Sequence, residues 1–263
     1  MAYISNSLTH WVGKGRNDPE KFTLLVDCIL RERELLFNQC SHDFSEKWGG
    51  LAAGTKMPMI CFTDVPFSEC GHLSIKYSKF GLCFEKHYLA NLFASPVCYA
   101  ANPFMYQNFS RIIHTLSAYK KQHGPMRISR TLGDNKTEIV DLDLLISNVR
   151  YIFAFFNNYS KRRLCYNEVD PSIPPEALED VFTDQEAFYY EREWRMYDSP
   201  GTRNAKHVIS KNGKNYLKFN EEYLKYVILP RKYAKKLQGL SGEVFKDYLK
   251  IPTILTFEDA LSL

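Results

Sequence analysis

The sequence predicts an α+β fold, a mixed sheet with surrounding helices. Short runs typical of strands alternate with helical segments along the chain, and no period of about 20 to 50 residues repeats, which disfavours a solenoid. The 263 residues are 45% hydrophobic and 24% charged, an ordinary globular composition with enough length for a substantial core. We therefore expect one domain, residues 1–263, with a helical insertion at about residues 105–165.

The amino-terminal part predicts closely spaced elements. A strand or extended segment covers "SLTHWVG", and "WGGLAAGTK" is a loop by composition. A helix follows the first strand, with Asp18 as its cap, Pro19 in its first turn, and an apolar stripe that includes Phe22. The next predicted elements are strand, helix, strand, helix and strand, over "PMICFTDVP", "SECGHLSIKY", "FGLCFEK", "HYLANLFA" and "PVCYA".

Helices are predicted in the middle of the chain and strands again towards its end. The helices cover residues 108–123 and 141–159, separated by the polar, glycine-containing stretch "GPMRISRTLGDNKTE". Residues 167–175 form the expected exposed loop. The later strands and one basic helix are predicted over "YYEREWRMY", "HVIS", "YLKF", "YVILP", "RKYAKKLQGL" (the helix) and "IPTILTF".

Composition and motifs disfavour several classes of protein. The formal net charge of +4 is too small to indicate nucleic acid by itself. The apolar run "YIFAFF" is far shorter than a membrane span, and the amino terminus has no signal-peptide pattern. The sequence has no P-loop, no GxGxxG and no GxSxG motif. We expect a cytoplasmic protein without a membrane partner.

The cysteines do not form a recognisable metal site. Cys61, Cys70, His72 and Cys83 lie close in sequence, but they lack the short paired spacing of structural zinc. The seven cysteines are an odd number in a chain long enough to fold without disulfides. They are expected to be reduced thiols, and no bound metal is expected.

The stretch "YYEREWRMY" carries the most unusual pattern. On a strand, Glu191, Glu193 and Arg195 would line one face, whereas Arg192 and Trp194 would line the other. Two acids on one face repel each other unless a cation, a hydrogen-bond network or a ligand compensates. This face is therefore either an ordinary surface row of ion pairs or the floor of a catalytic site.

A carboxylate pair of this kind suits the cleavage of a glycosidic bond to ribose. Such a reaction passes through an oxocarbenium-like state, which one carboxylate stabilises while the other orients or deprotonates the acceptor. A cationic leaving group such as nicotinamide needs little assistance from an acid, and the pattern contains no obvious protonated partner. The pattern thus favours NAD as the cofactor or substrate.

Seven blocks of the sequence resemble the AbiGi family of bacterial phage abortive-infection proteins, over most of the chain. The family is described as the putative antitoxin half of an abortive-infection pair, so the resemblance implies a role in phage defence and a partner toxin or effector protein. The blocks are "LTHW", the helix ending in "IL", "MICFTDVPFSECGHLSIKYSKFGLCF", "PVCY", "EREWR", "YVILP" and "IPTILTFEDAL".

A second, weaker resemblance is to ADP-ribosyltransferases, whose first strand carries an aromatic, His or Arg residue, whose second carries Ser or Thr, and whose late strand carries Glu-x-Glu. His10, Thr63 and the Glu191/Glu193 pair occur here in that order. The resemblance implies an ADP-ribosyltransferase-like fold in which Thr63 braces the site, Glu193 holds the nicotinamide ribose and Glu191 positions a macromolecular acceptor. Its expected NAD-binding residues are His10, Trp11, Thr63, Asp64, Tyr77 and Arg195.

The preferred hypothesis is NAD-dependent ADP-ribosyl transfer or NAD cleavage in a cleft shared by His10, Thr63 and Glu193. It requires the imidazole and the acids to face the same hollow. A non-enzymatic antitoxin that docks through the basic "RKYAKKLQGL" or "YSKRRL" is the alternative, and a nucleic-acid-binding protein is a third. Such basic stretches are more often solvated faces.

Overall fold

A computed structural model describes residues 5–41, 56–100, 103–124, 127–131, 137–154, 156–158, 192–198 and 206–262. The chain divides into two compact units. The first comprises Met1–Gln39, Pro58–Pro96 and Tyr190–Leu263, and the second comprises Cys40–Met57 and Val97–Tyr189, which includes the predicted helical insertion. Helices and a mixed sheet are both present, which confirms the predicted α+β class.

The main sheet contains eight of the described strands. They are β1 (Ser7–Trp11), β3 (Asn38–Ser41), β4 (Lys56–Thr63), β5 (Gly81–Glu85), β6 (Ser95–Pro96), β11 (Glu193–Tyr197), β14 (Leu224–Leu229) and β15 (Thr253–Thr256). Their order is β15-β14-β5-β1-β4-β11-β6, and β3 pairs with β4 beside this path. Strands β14 and β15 are parallel, whereas the other pairs along the path are antiparallel. Strand β1 therefore lies between β5 and β4, in the interior of the sheet.

A three-stranded sheet completes the strands of the first unit, with β2 (Glu34–Leu36), β12 (Val208–Lys211) and β13 (Lys214–Lys218) in the order β12-β13-β2. Asn212 and Gly213 connect β12 to β13 with φ values of 51° and 71°. This Asn-Gly pair suits a two-residue hairpin turn, which requires positive φ at both positions. The sequence predicted β12 and β13 but missed the short β2.

The helices of the first unit are α1 (Asp18–Thr23), α2 (Gly71–Lys76), α3 (Lys86–Asn91), α6 (Arg231–Val244) and α7 (Phe257–Ala260), and a π-helix, Leu24–Leu30, continues α1. Asn17 rather than Asp18 caps α1, because its side chain accepts from the backbone N–H of Glu20 while the Glu20 carboxylate accepts from that of Asn17. This reciprocal capping box satisfies two backbone donors at the helix start. Pro19 lies in the first turn, as predicted.

The hydrophobic core lies on one face of the main sheet. Leu8 of β1 and Val12, just after β1, belong to it. The ring of Phe84 meets those of Phe62 and Phe219 edge to face, at centroid distances of 6.4 and 5.1 Å. The predicted apolar stripe of the first helix, which includes Phe22, is buried in the same cluster. The core therefore fixes which side chains of each strand face inwards.

The basic helix α6 packs by its apolar side. Ala234 and Leu237 are buried, and the ring of Tyr233 packs against Phe22 and Phe80. Its lysines at 232, 235 and 236 are exposed. The other predicted basic patch, "YSKRRL", lies outside the described residues.

The second unit contains α4 (Pro103–His123), α5 (Leu142–Ala154), β7 (Cys98–Ala100), β8 (Arg127–Thr131), β9 (Thr137–Asp141) and β10 (Phe156–Asn158). Strands β7 and β10 pair in parallel, and β8 and β9 form an antiparallel hairpin where the sequence predicted only a polar excursion. The side chains of Lys120 and Asp143 form an ion pair between α4 and α5. Among the described helices, none has an apolar stretch long enough to cross a bilayer.

We expect Gly81→Ala to lower the free energy of unfolding by about 1–3 kcal/mol, measured by urea denaturation. Gly81 begins β5 against the side chains of β1. A Cβ there would lie 3.1 Å from Thr9 Cγ2 and 3.1 Å from Trp11 Cε3, so the indole must shift.

Gly239→Ala in α6 is the matched control. A Cβ at Gly239 meets nothing within 4 Å. Alanine is favoured over glycine in a helix interior by about 0.5–1 kcal/mol, so this variant should be more stable than the wild type. A Gly81→Ala variant as stable as the wild type would contradict the packing of Trp11 against β5.

Candidate functional site

Three neighbouring strands place a hydroxyl beside a carboxylate. In the register of the main sheet, Thr9 of β1 is the partner of Thr63 of β4, and Thr63 is the partner of Glu193 of β11. Side chains of directly opposed residues project from the same face of a sheet. The structure therefore brings together Thr63 and Glu193, which the sequence placed on separate strands of one site.

Trp11 belongs to the same face as Thr63. Its indole Nε1 donates a hydrogen bond to Thr63 Oγ1 at 3.0 Å, and that hydroxyl can donate to the carbonyl oxygen of Thr9 at 3.4 Å. Thr63 is buried, and a hydroxyl that both accepts and donates is well suited to a buried position. The orientation of the indole is thus fixed relative to β4.

The Arg195 guanidinium binds both oxygens of the Glu193 carboxylate. Its Nε donates to Oε1 at 2.9 Å and its Nη2 donates to Oε2 at 2.8 Å. The side chains are only 5% (Arg195) and 11% (Glu193) exposed, so this is not the surface ion pair that one interpretation of the sequence expected. A bidentate arginine fixes the orientation of a carboxylate without exhausting its acceptor sites, of which there are about four.

His10 does not face the hollow of Glu193, contrary to the sequence hypothesis. It is adjacent to Thr9 on β1, so alternation directs its imidazole to the opposite face. Its ring meets that of the core residue Phe62 at 5.8 Å, and Phe62 is the register partner of Trp194 rather than of Glu193. The imidazole therefore lies on the core side of the sheet.

The surroundings of His10 keep the imidazole neutral. Its Nδ1 lies 2.9 Å from the carbonyl oxygen of Cys61 and donates to it, since a carbonyl oxygen only accepts. Removal from water lowers the pKa of His10 below 6.5, and the hydrogen bond to Cys61 offsets only part of this effect. This environment is that of a structural histidine.

Tyr77 and Asp64, also predicted as NAD-binding, lie in different surroundings. Tyr77 packs with Trp11 against a small buried cluster beyond β4, and the Lys14 ammonium lies 5.2 Å from the centre of its ring. Asp64 is buried, and its Oδ2 accepts from Lys86 Nζ at 2.5 Å and from Arg192 Nη2 at 3.2 Å. Tyr77 thus belongs with Trp11, whereas Asp64 belongs to an ion-pair cluster.

The Asp64 cluster anchors the beginning of β11. The backbone N–H of Asp64 donates to the carbonyl oxygen of Arg192 at 3.1 Å, and Arg192 has φ of 43°, in the left-handed region. A non-glycine residue there costs about 1–3 kcal/mol and persists only where its surroundings hold it. No local sequence pattern indicated this role of Lys86, and Glu191 lies outside the described residues.

Asp64 Oδ1 is an exception to the pairing of buried polar atoms. It is buried and has no hydrogen-bond partner among the described residues. In the part of the chain that the structure describes, no group of three or more His, Cys, Asp or Glu side chains is arranged to hold a metal ion.

Comparisons with known proteins do not assign a family. No family model and no curated protein matches the chain, so the AbiGi resemblance stays a prediction. Among solved structures, DarT of Thermus sp. 2.9 in complex with NAD+ is 10% identical over 97% of this chain and 96% of that chain, with a TM-score of 0.29. A similarity at this TM-score supports no conclusion about fold or function.

Replacing Arg195 by methionine should lower the free energy of unfolding by about 3–5 kcal/mol, because the buried Glu193 carboxylate would lose its cation. Denaturant titration measures this change. The control is Arg231→Met, which breaks the ion pair between Arg231 and Asp259. These two side chains are 62% and 57% exposed, so we expect little change in the free energy of unfolding. Equal effects of the two substitutions would contradict the buried character of the Glu193 pair.

His10 should contribute to a loss of stability in acid. Its folded-state pKa lies below 6.5, so the unfolded chain binds more protons as the pH falls through about 6.5. The free energy of unfolding therefore decreases from about pH 8 to about pH 5, and His10→Gln should reduce the slope of this decrease. Thermal melts across this range measure the slope.

The exposed His207 provides the control for this titration. His207→Gln should leave most of the pH dependence in place. An unchanged slope in His10→Gln would show that His10 is not a neutral, buried group in the folded protein.

Proposed function

We propose that the protein binds NAD on the Glu193 face of the main sheet and cleaves the bond between nicotinamide and ribose. The ADP-ribosyl group then passes to a macromolecular acceptor or to water. The observation that supports this proposal is the direct register pairing of Thr63 with Glu193, next to the indole of Trp11. A hydroxyl-bearing second strand and a glutamate-bearing late strand are the elements that the resemblance to ADP-ribosyltransferases requires.

In this proposal Glu193 stabilises the positive charge that develops on the ribose. When the bond from C1′ to the pyridinium nitrogen breaks, its electron pair neutralises the leaving nicotinamide, and C1′ acquires oxocarbenium character. A carboxylate held in a fixed orientation stabilises that charge without reorganising. The acceptor then attacks C1′ and loses its proton. Arg195 acts as a positioning residue through its two hydrogen bonds to Glu193.

The neighbouring side chains fit the remaining parts of NAD. Trp11 and Tyr77 pack in one cluster and offer aromatic surface, and Lys14 over the Tyr77 ring supplies a cation suited to the diphosphate. His10 is not part of the proposed site, because its imidazole lies on the core side. Glu191 keeps its proposed role in positioning the acceptor.

We further propose that this activity serves phage defence in the bacterial cytoplasm. The support is the AbiGi resemblance of the sequence blocks, among which "CFTDVP" and "EREWR" contain Thr63 and Glu193. An abortive-infection effector that consumes NAD or modifies a macromolecule would account for both resemblances. A partner protein would then regulate the effector.

The test is Glu193→Gln, assayed by release of labelled nicotinamide from NAD in the presence of protein and nucleic-acid acceptors. The substitution keeps the shape of the side chain but removes its charge, so we expect the rate to fall by about 10²–10³-fold. NAD binding, measured by calorimetry, should be retained. Glu69→Gln is the control, because Glu69 is exposed.

Two results would contradict the proposal. Unchanged nicotinamide release in Glu193→Gln would remove Glu193 from the reaction. A folded wild-type protein that neither binds nor consumes NAD with any acceptor would refute the activity itself, and co-purification with a partner protein would then favour the neutralising antitoxin.

A further inference from the structure

A cleft lies at the end of the main sheet where β5 leads into α3. Its volume is about 480 Å³, and it is lined by Asn6, Glu85, Lys86, His87, Trp194 and Lys225. Trp194 is adjacent to Glu193 on β11 and projects from the other face, where it packs against the main core. None of these six lining residues belongs to the proposed NAD site.

Three side chains in this cleft have unused donors. Within the described part of the chain, the Asn6 carboxamide, the Trp194 indole N–H and the Lys225 ammonium make no hydrogen bond or ion pair. Lys86 is paired with Asp64 at 2.5 Å, and Glu85 lies 3.4 Å from His87, a contact that is an ion pair only when the imidazole is protonated. Lys225 is thus the lining cation without an acidic partner among the described residues.

A β-bulge places Lys225 in this position. Between β14 and β5, Leu224 is the partner of Phe84, but the next partner of β5, Cys83, faces Tyr226. Lys225 is therefore the extra residue on β14. A bulge redirects a side chain out of the regular alternation, and bulges are over-represented beside functional sites.

We propose that this cleft binds a small nucleoside phosphate. The ammonium of Lys225 and the carboxamide of Asn6 would hold the phosphate group, since both donate hydrogen bonds. The indole of Trp194 packs on the core and has the Lys86 ammonium 5.0 Å from its ring centre, and its exposed part would provide aromatic surface for the base. The volume of about 480 Å³ lies within the usual range for small-molecule sites, about 300–1,000 Å³.

Calorimetric titration with AMP, adenosine and inorganic phosphate tests this proposal. AMP should bind more tightly than either fragment, because it offers both the phosphate and the base. Lys225→Gln should weaken AMP binding at least about tenfold, as expected for the loss of a charge-assisted hydrogen bond, and should leave adenosine binding unchanged. Lys246→Gln, at an exposed lysine outside the cleft, should bind AMP like the wild type.

The site would be refuted if AMP did not bind, if adenosine bound as tightly as AMP, or if Lys225→Gln matched Lys246→Gln. Tighter binding of a short oligonucleotide than of AMP would assign the cleft to nucleic acid instead. Lys225→Gln should still release nicotinamide from NAD at the wild-type rate, so AMP binding and NAD turnover test the two sites separately. Asn6→Ala is a second variant, and it should also weaken AMP binding, because the Asn6 carboxamide would bind the phosphate group. Asn6 is exposed, so its replacement should not affect folding.

Discussion

The register of three antiparallel strands determines which polar side chains share one face of the main sheet. Thr9, Thr63 and Glu193 form one row across β1, β4 and β11, and a slip of one residue would transfer each side chain to the other face. Several contacts hold this register, among them the hydrogen bond from Trp11 to Thr63 and that from the Asp64 N–H to the Arg192 carbonyl. The arrangement of hydroxyl, indole and carboxylate exists only while these contacts persist.

Two groups of charged side chains lie close to the start of β11. Arg195 binds Glu193 on one face of the sheet, and the buried Asp64 pairs with Lys86 and Arg192. Buried ion pairs contribute little net stability, but the loss of one partner leaves an uncompensated charge. Their main effect here is geometric, since they fix the orientation of Glu193 and the starting point of its strand.

The sequence predicted what is local and failed where contacts are distant. Strand β4 was predicted from its apolar run, and β1 and β5 were predicted as short strands or extended segments. Alternation correctly separated Glu193 and Arg195 from Trp194 on the same strand. The face of His10 relative to Glu193 depends on pairing across more than one strand, which no local pattern encodes. The strand β2 has a weak signal because it is only three residues long, and the hairpin of β8 and β9 has one because most of its residues are polar. The pairing of Lys86 with Asp64 likewise depends on the tertiary fold.

This pairing also explains why Lys225, rather than Lys86, is the residue available to a ligand in the cleft. Lys86 already has Asp64 Oδ2, the carbonyl oxygen of Ser5 and the face of the Trp194 ring as neighbours. The other oxygen of Asp64 has no hydrogen-bond partner among the described residues, so withdrawing Lys86 would leave the buried carboxylate with Arg192 as its remaining cation in that part of the chain. Such a loss opposes any movement of Lys86 towards an anion. Lys225 carries no such constraint, since the bulge presents its ammonium to the cleft without an acidic partner among the described residues.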